Sequence, residues 1–234
     1  MLMTSRFVLH IGLEKTGTTS IQYFLQTHEQ RFIKHGFLYP RAGRISGGHH
    51  NLAFALGFST LKADPRILGD LREEIGGWQS QVILSSENFS INAGKGPISS
   101  LRALLEPLAD QIMILVYYRP QHEWLQSVYI ERKRWGLKQD FHSFCRDIVP
   151  IYEALPDIWR DFFPTAKLVI RQYSRRHNVI NDFTSLIGLP KFEYDESKWF
   201  LHSTPIKKYK DEFGEPSESD EKTDGGDWGW QSVR

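Results

Sequence analysis

A single cysteine, Cys145, stands in the chain of 234 residues, so no intramolecular disulfide can form. A disulfide-stapled scaffold is excluded, and a reducing compartment fits. Long apolar runs are missing too. The longest, Ile112 to Tyr118, has seven residues and falls far short of a membrane span. The apolar stretch Phe7 to Leu9 is broken by His10 and soon meets Glu14 and Lys15, which is no pattern for a secretory leader. A cytoplasmic protein with no membrane span is therefore expected. No long internal repeat is present, and 18 Gly with 11 Pro exclude a collagen-like chain. Net charge is nearly absent, at +1, but that figure averages two unlike regions. Residues 211–227 hold eight acids against one base, Lys222, a net of −7, while residues 1–210 carry a net of +7. A basic body suggests an anionic ligand.

What is present suits a globular protein. Hydrophobic residues make up 40% and charged residues 24%, and 15 Phe, 9 Tyr and 7 Trp can fill a sizeable core. That excludes a wholly disordered chain. Length allows one domain or at most two. The pattern predicts strands at 6–12, 37–40, 81–85, 111–118 and 166–171. It predicts helices over 18–35, 51–60, 64–76, 97–108, 120–135, 140–147, 150–162 and 175–187. Strands alternating with helices imply an α/β fold with a central, mainly parallel sheet. The pattern fades after about residue 203, so residues 1–203 are expected to form the α/β domain and 204–234 an acidic, mobile tail.

The stretch HIGLEKTGTTSIQ, residues 10–22, carries the most chemistry. A strand ends in Gly12, a turn holds Lys15, Thr16, Gly17, Thr18 and Thr19, and a helix begins at once. Turn N–H groups and a helix N-terminus then converge on one spot that favours an anion. Glycines let the backbone approach, hydroxyls of Thr16, Thr18, Thr19 and Ser20 add donors, and Lys15 adds a point charge. The spacing Gly12-x4-Gly17 matches the nucleotide P-loop, except that Thr18 stands where that motif requires lysine. The lysine sits at position 15, inside the loop.

K-T-G-T-T-S after a strand resembles the 5′-phosphosulfate loop of sulfotransferases that use 3′-phosphoadenosine 5′-phosphosulfate (PAPS), in particular bacterial, carbohydrate-type members. The resemblance implies a P-loop-like three-layer α/β/α fold, and lysine at the place of Lys15. It also implies an arginine closing a central strand and a serine eight residues later, which together hold the 3′-phosphate. Arg119 and Ser127 stand at that spacing. A strand between these motifs delivers the catalytic base in the family, histidine in some branches and glutamate in others. Strand ends place Glu87 near that position, with His49 and His50 as rivals. Sulfuryl transfer needs such a group to take the hydroxyl proton as oxygen attacks sulfur. Lys15 would stabilise charge building on the leaving phosphate.

The resemblance spans residues 6–190. It implies PAPS as donor, a carbohydrate-type hydroxyl (less readily an amine) as acceptor, and no metal. The R-K-G stretch of animal cytosolic sulfotransferases is absent, which points toward the carbohydrate type. A P-loop kinase or other NTPase remains an alternative, as does a non-catalytic module that keeps the cradle and binds nucleotides or glycans. Dispersed basic residues without a stacking motif argue against nucleic acid as partner. Arg132, Lys133 and Arg134 read as a solvated basic face, Trp124 and Tyr129 as core or cleft wall, and His10 as structural. Oligomeric state and acceptor identity have no readable signal.

Overall fold

A computed structural model describes residues 6–91, 93–191 and 193–196. The acidic stretch 211–227, and the tail expected from residue 204, lie outside the described residues. The described elements run, in order, β1 (Arg6–His10), α1 (Thr18–Thr27), α2 (Glu29–Lys34), β2 (Phe37–Leu38), α3 (His50–Ala55), α4 (Ile67–Ile75), β3 (Gln81–Ser85), α5 (Asn88–Ile91), α6 (Lys95–Leu105), β4 (Gln111–Tyr118), α7 (Gln121–Arg134), α8 (Phe141–Phe162), β5 (Lys167–Gln172) and α9 (Val179–Ile187). The expected α/β fold is observed. Its five strands pair in the order β2-β3-β1-β4-β5, and every pairing is parallel.

Side chains alternate across a strand, and here both faces are covered. Phe7 and Leu9 of β1 join Val82, Leu84, Ile114 and Val116 in a core roofed by α6, α7 and α8. Val8 joins Ile83, Met113, Leu115 and Tyr117 in a second core under α1, α2 and α9. The continuous apolar run of β4 reflects burial on both sides. Cys145 packs, half-buried, against the first core.

Two expected boundaries shift. The helix expected over 18–35 is two, α1 and α2, meeting at His28. The helices expected at 140–147 and 150–162 are one helix, α8, with Pro150 and Pro156 inside it. An interior proline leaves the carbonyl four residues back without its helical partner. For Pro156 that carbonyl belongs to Tyr152, and the Tyr118 hydroxyl donates to it at 3.1 Å. For Pro150 it belongs to Arg146, which is exposed to water.

The strand order positions the site. The chain leaves β1 toward β2 on one side, and leaves β3 across β1 toward β4 on the other. Connections diverging in this way open a crevice at the carboxyl ends of the strands. The segments after β1, β3 and β4 all meet there. Among the described residues no helix is long and apolar enough to cross a membrane.

Candidate functional site

The segment after β1 stays bound to the sheet without being a strand. Ile11 N–H donates to Leu115 O at 3.0 Å, Leu13 N–H to Tyr117 O at 3.1 Å, and Tyr117 N–H to Gly12 O at 2.7 Å. Gly12 has φ +108°, and a Cβ there would lie 3.1 Å from Glu87 Cα. Glycine therefore serves both the backbone angle and the close approach of two segments. Gly17, φ +81°, caps α1. No acid occupies the first turn of α1, and Thr18, Thr19 and Ser20 line the cleft in front of it. The positive end of the helix dipole faces that space. Thr16 departs from expectation. It is fully buried, and its hydroxyl donates inward to Leu13 O at 2.6 Å. Its side chain braces the loop and does not line the cleft.

The second cationic anchor follows β4. Arg119 is 4% exposed, and the Tyr152 hydroxyl donates to its carbonyl at 2.9 Å, so α8 pins this corner. Its guanidinium contacts Glu123 Oε2 from Nε at 3.0 Å and from Nη2 at 2.9 Å. Lys15 Nζ lies 3.1 Å from Glu131 Oε1. Glu123, Ser127 and Glu131 are spaced by four on α7, hence on one face. The structure brings Lys15, Gly17, Thr18, Thr19, Ser20, Arg119, Ser127, Glu87 and His50 to the walls of one cleft of about 1080 Å³. Lys15, Arg119 and Ser127 also share a smaller recess with Arg175, from the segment between β5 and α9.

Glu87 follows β3 and faces the same cleft. Gln22 Nε2 donates to its Oε2 at 2.9 Å. His50 Nδ1 lies 3.9 Å from that oxygen, beyond hydrogen-bond range. Instead, His50 Nδ1 accepts from the Ser86 hydroxyl at 2.8 Å and from the Asn88 amide at 3.0 Å. Ser86 is free to donate there because its oxygen already accepts the Asn88 N–H at 3.2 Å. Two donors at Nδ1 place the ring proton on Nε2. In this arrangement Nδ1 of His50 is taken, while the residue lines the cleft wall.

His49 is not in the cleft. It is fully buried, accepting the Ser85 N–H at Nδ1 (3.1 Å) and donating from Nε2 to Pro40 O at 2.9 Å. Burial, helped by nearby Arg44, pushes its pKa down to about 3. Both nitrogens are engaged in tying the preceding loop to β3, so the expectation of His49 as a rival base is corrected. His10, read as structural, is fully buried, with Nδ1 2.8 Å from Ser85 Oγ and its ring edge-on to Tyr117 and Phe183.

Several cleft residues escaped the sequence reading. Glu14 is buried beside Arg132 Nη2 at 2.9 Å, and burial raises its pKa against the pull of that arginine. Arg132 is thus engaged with the loop and is not part of a solvated face. Arg134 and Arg175 line the cleft, while Trp135 lines it with 71% of its surface exposed. Glu123 and Glu131 could have been found by stepping four residues either way from Ser127. Gln22, Glu14 and Arg175 had no local signal, because their partners are distant in sequence. Trp124, expected in core or cleft wall, is core, and its indole N–H donates to Glu14 O at 3.0 Å.

No protein-family model matches the chain, and no curated protein matches it. Among solved structures it is similar to the crystal structure of a sulfotransferase from Alicyclobacillus acidocaldarius. The TM-score is 0.50 at 14% identity, covering 88% of this chain and 90% of the other. The fold is sulfotransferase-like. At that identity the likeness concerns architecture, and the chemistry has to be argued from the cleft itself.

Proposed function

We propose that the protein is a sulfotransferase that moves a sulfuryl group from PAPS to a hydroxyl of a carbohydrate-type acceptor, in the cytoplasm. The observation that carries this reading is one cleft with two separate cationic anchors. Lys15 stands in the loop that leads into α1, Arg119 just after β4, and Ser127 midway along α7. A donor that carries more than one anionic group could engage both sets of donors at once. Backbone N–H groups of the Gly17–Ser20 turn would hold the 5′ end, while Arg119 and Ser127 would hold the 3′-phosphate. When bound, the nucleotide supplies the sulfuryl group.

The chain's own groups then have distinct tasks. Glu87 takes the proton of the attacking hydroxyl. Lys15 opposes the negative charge that grows on the leaving oxygen. His50 presents its Nε2–H to an acceptor oxygen. Trp135, exposed at the cleft, offers a flat apolar face to a sugar ring. Hydroxyls of Ser46 and Ser59 and the Asn88 amide line the same cleft and suit a polyhydroxylated acceptor.

The test is transfer from radiolabelled PAPS to a panel of sugar alcohols. Lys15→Ala is expected to abolish transfer. Glu87→Gln is expected to keep donor binding and lose about 10²- to 10⁴-fold in kcat, the usual share of general-base catalysis. Near-normal transfer by Lys15→Ala would contradict the assignment, and near-normal transfer by Glu87→Gln would contradict the role of Glu87 as base.

A further inference from the structure

The chemistry above uses only the N-terminus of α1. One turn further along, the same helix carries Gln22, which is 1% exposed. Its amide reaches across to the segment after β3 and donates from Nε2 to Glu87 Oε2 at 2.9 Å. A carboxylate oxygen only accepts, so Gln22 must present its NH2 group there. The Glu87 backbone is fixed as well. Its carbonyl accepts from Ser90 N–H at 3.0 Å, from the Ser90 hydroxyl at 2.8 Å and from Ile91 N–H at 3.2 Å. On its other side lies the Gly12 backbone, where an added Cβ would come within 3.1 Å of Glu87 Cα. His50, the nearest alternative partner of the carboxylate, is committed to Ser86 and Asn88. Among the described residues, Gln22 is thus the only hydrogen-bond donor to this carboxylate, and Oε1 has no such partner.

We propose that Gln22 is the positioning residue for Glu87, holding Oε2 so that Oε1 receives the acceptor proton. The proposal rests on the reading of Glu87 as base. It has a geometric consequence. Thr18, at the anion cradle, and Gln22 are four residues apart, an axial rise of about 6 Å. One rigid helix therefore sets both where the transferred group is held and where the base waits for the incoming hydroxyl. A loosened base would be misplaced relative to the donor without weakening the donor's own contacts.

A double-mutant cycle tests this, with kcat and KM measured for wild type, Gln22→Met, Glu87→Gln and the double variant. Methionine keeps the side-chain length and removes the donor. Gln22→Met is expected to lower kcat by about 10- to 100-fold, the scale of a misplaced catalytic group, with KM for PAPS unchanged. In the Glu87→Gln background the same change is expected to cost nothing further, because no base remains to be placed. Gln22→Glu, which keeps shape and sets one carboxylate against another, is expected to lower kcat similarly and serves if Gln22→Met fails to fold. An equal loss in both backgrounds would show a merely structural glutamine and overturn the proposal, as would unchanged kcat in Gln22→Met. Full turnover by Glu87→Gln would instead sink the reading of the base itself, and the role of Gln22 with it.

Discussion

Gly17 shows how one residue joins fold and site. It sits in the left-handed region, and a Cβ there would lie 2.9 Å from Val179 Cγ1. Gly17→Ala is expected to cost about 1–2 kcal/mol from backbone strain alone, more with the clash, and to weaken nucleotide binding. Thermal unfolding and calorimetry would read the two effects, and an unchanged protein would contradict this role. The glycine and Lys15 were legible because strand, loop and helix follow one another within thirteen residues, 10–22. Arg119 and Ser127 came from the family resemblance, and the strand end at Tyr118 with a helix after it is what located them. Partnerships such as Gln22 with Glu87 or Glu14 with Arg132 were not, since tertiary packing alone joins residues so distant in sequence. The inward hydroxyl of Thr16 and the buried ring of His49 mark a similar limit. Residue type suggested ligands, and local hydrogen bonding took the atoms.

At the scale of the element, α8 carries the clearest lesson. The break expected between residues 147 and 150 is absent, and the helix runs on through Pro150 and Pro156, the carbonyl freed by Pro156 gaining the Tyr118 hydroxyl as a partner. Tyr152 then returns a hydroxyl to the Arg119 carbonyl, so helix and β4 corner lock each other. Tyr118→Phe leaves the Tyr152 carbonyl unpaired in a buried setting and is expected to destabilise by about 1–3 kcal/mol. A urea midpoint equal to wild type would show that the proline is accommodated some other way. The strands themselves were readable, because runs such as 111–118 can only be buried in a doubly covered sheet.

For the whole molecule, the sequence indicated a parallel sheet but not its order, which depends on which crossover passes over which strand. Two fully buried histidines give the fold a pH dependence. Burial pushes His10 from 6.5 down to about 3, and burial with Arg44 does the same to His49. Between those values the unfolded chain binds protons that the folded chain excludes. Stability is therefore full above about pH 6.5 and falls on acidification, by up to about 1.4 kcal/mol per pH unit for each histidine. Urea titrations between pH 7 and 5 are expected to show this slope, and His49→Gln to reduce it, leaving the share of His10. A pH-independent midpoint would contradict the burial argument. Lys15, Arg119, Arg132, Arg134 and Arg175 line a single cleft, beside the carboxylates of Glu14, Glu87, Glu131 and Glu196. The central claim is that this cleft holds a nucleotide by two separate anionic ends. Calorimetry with 3′-phosphoadenosine 5′-phosphate, set beside magnesium ATP, tests it most directly. The account predicts clear binding of the bisphosphate, a loss of at least tenfold in Arg119→Ala, and much weaker binding of ATP, where tenfold corresponds to about 1.4 kcal/mol. Equal or tighter binding of magnesium ATP, or bisphosphate affinity untouched by the loss of Arg119, would contradict it.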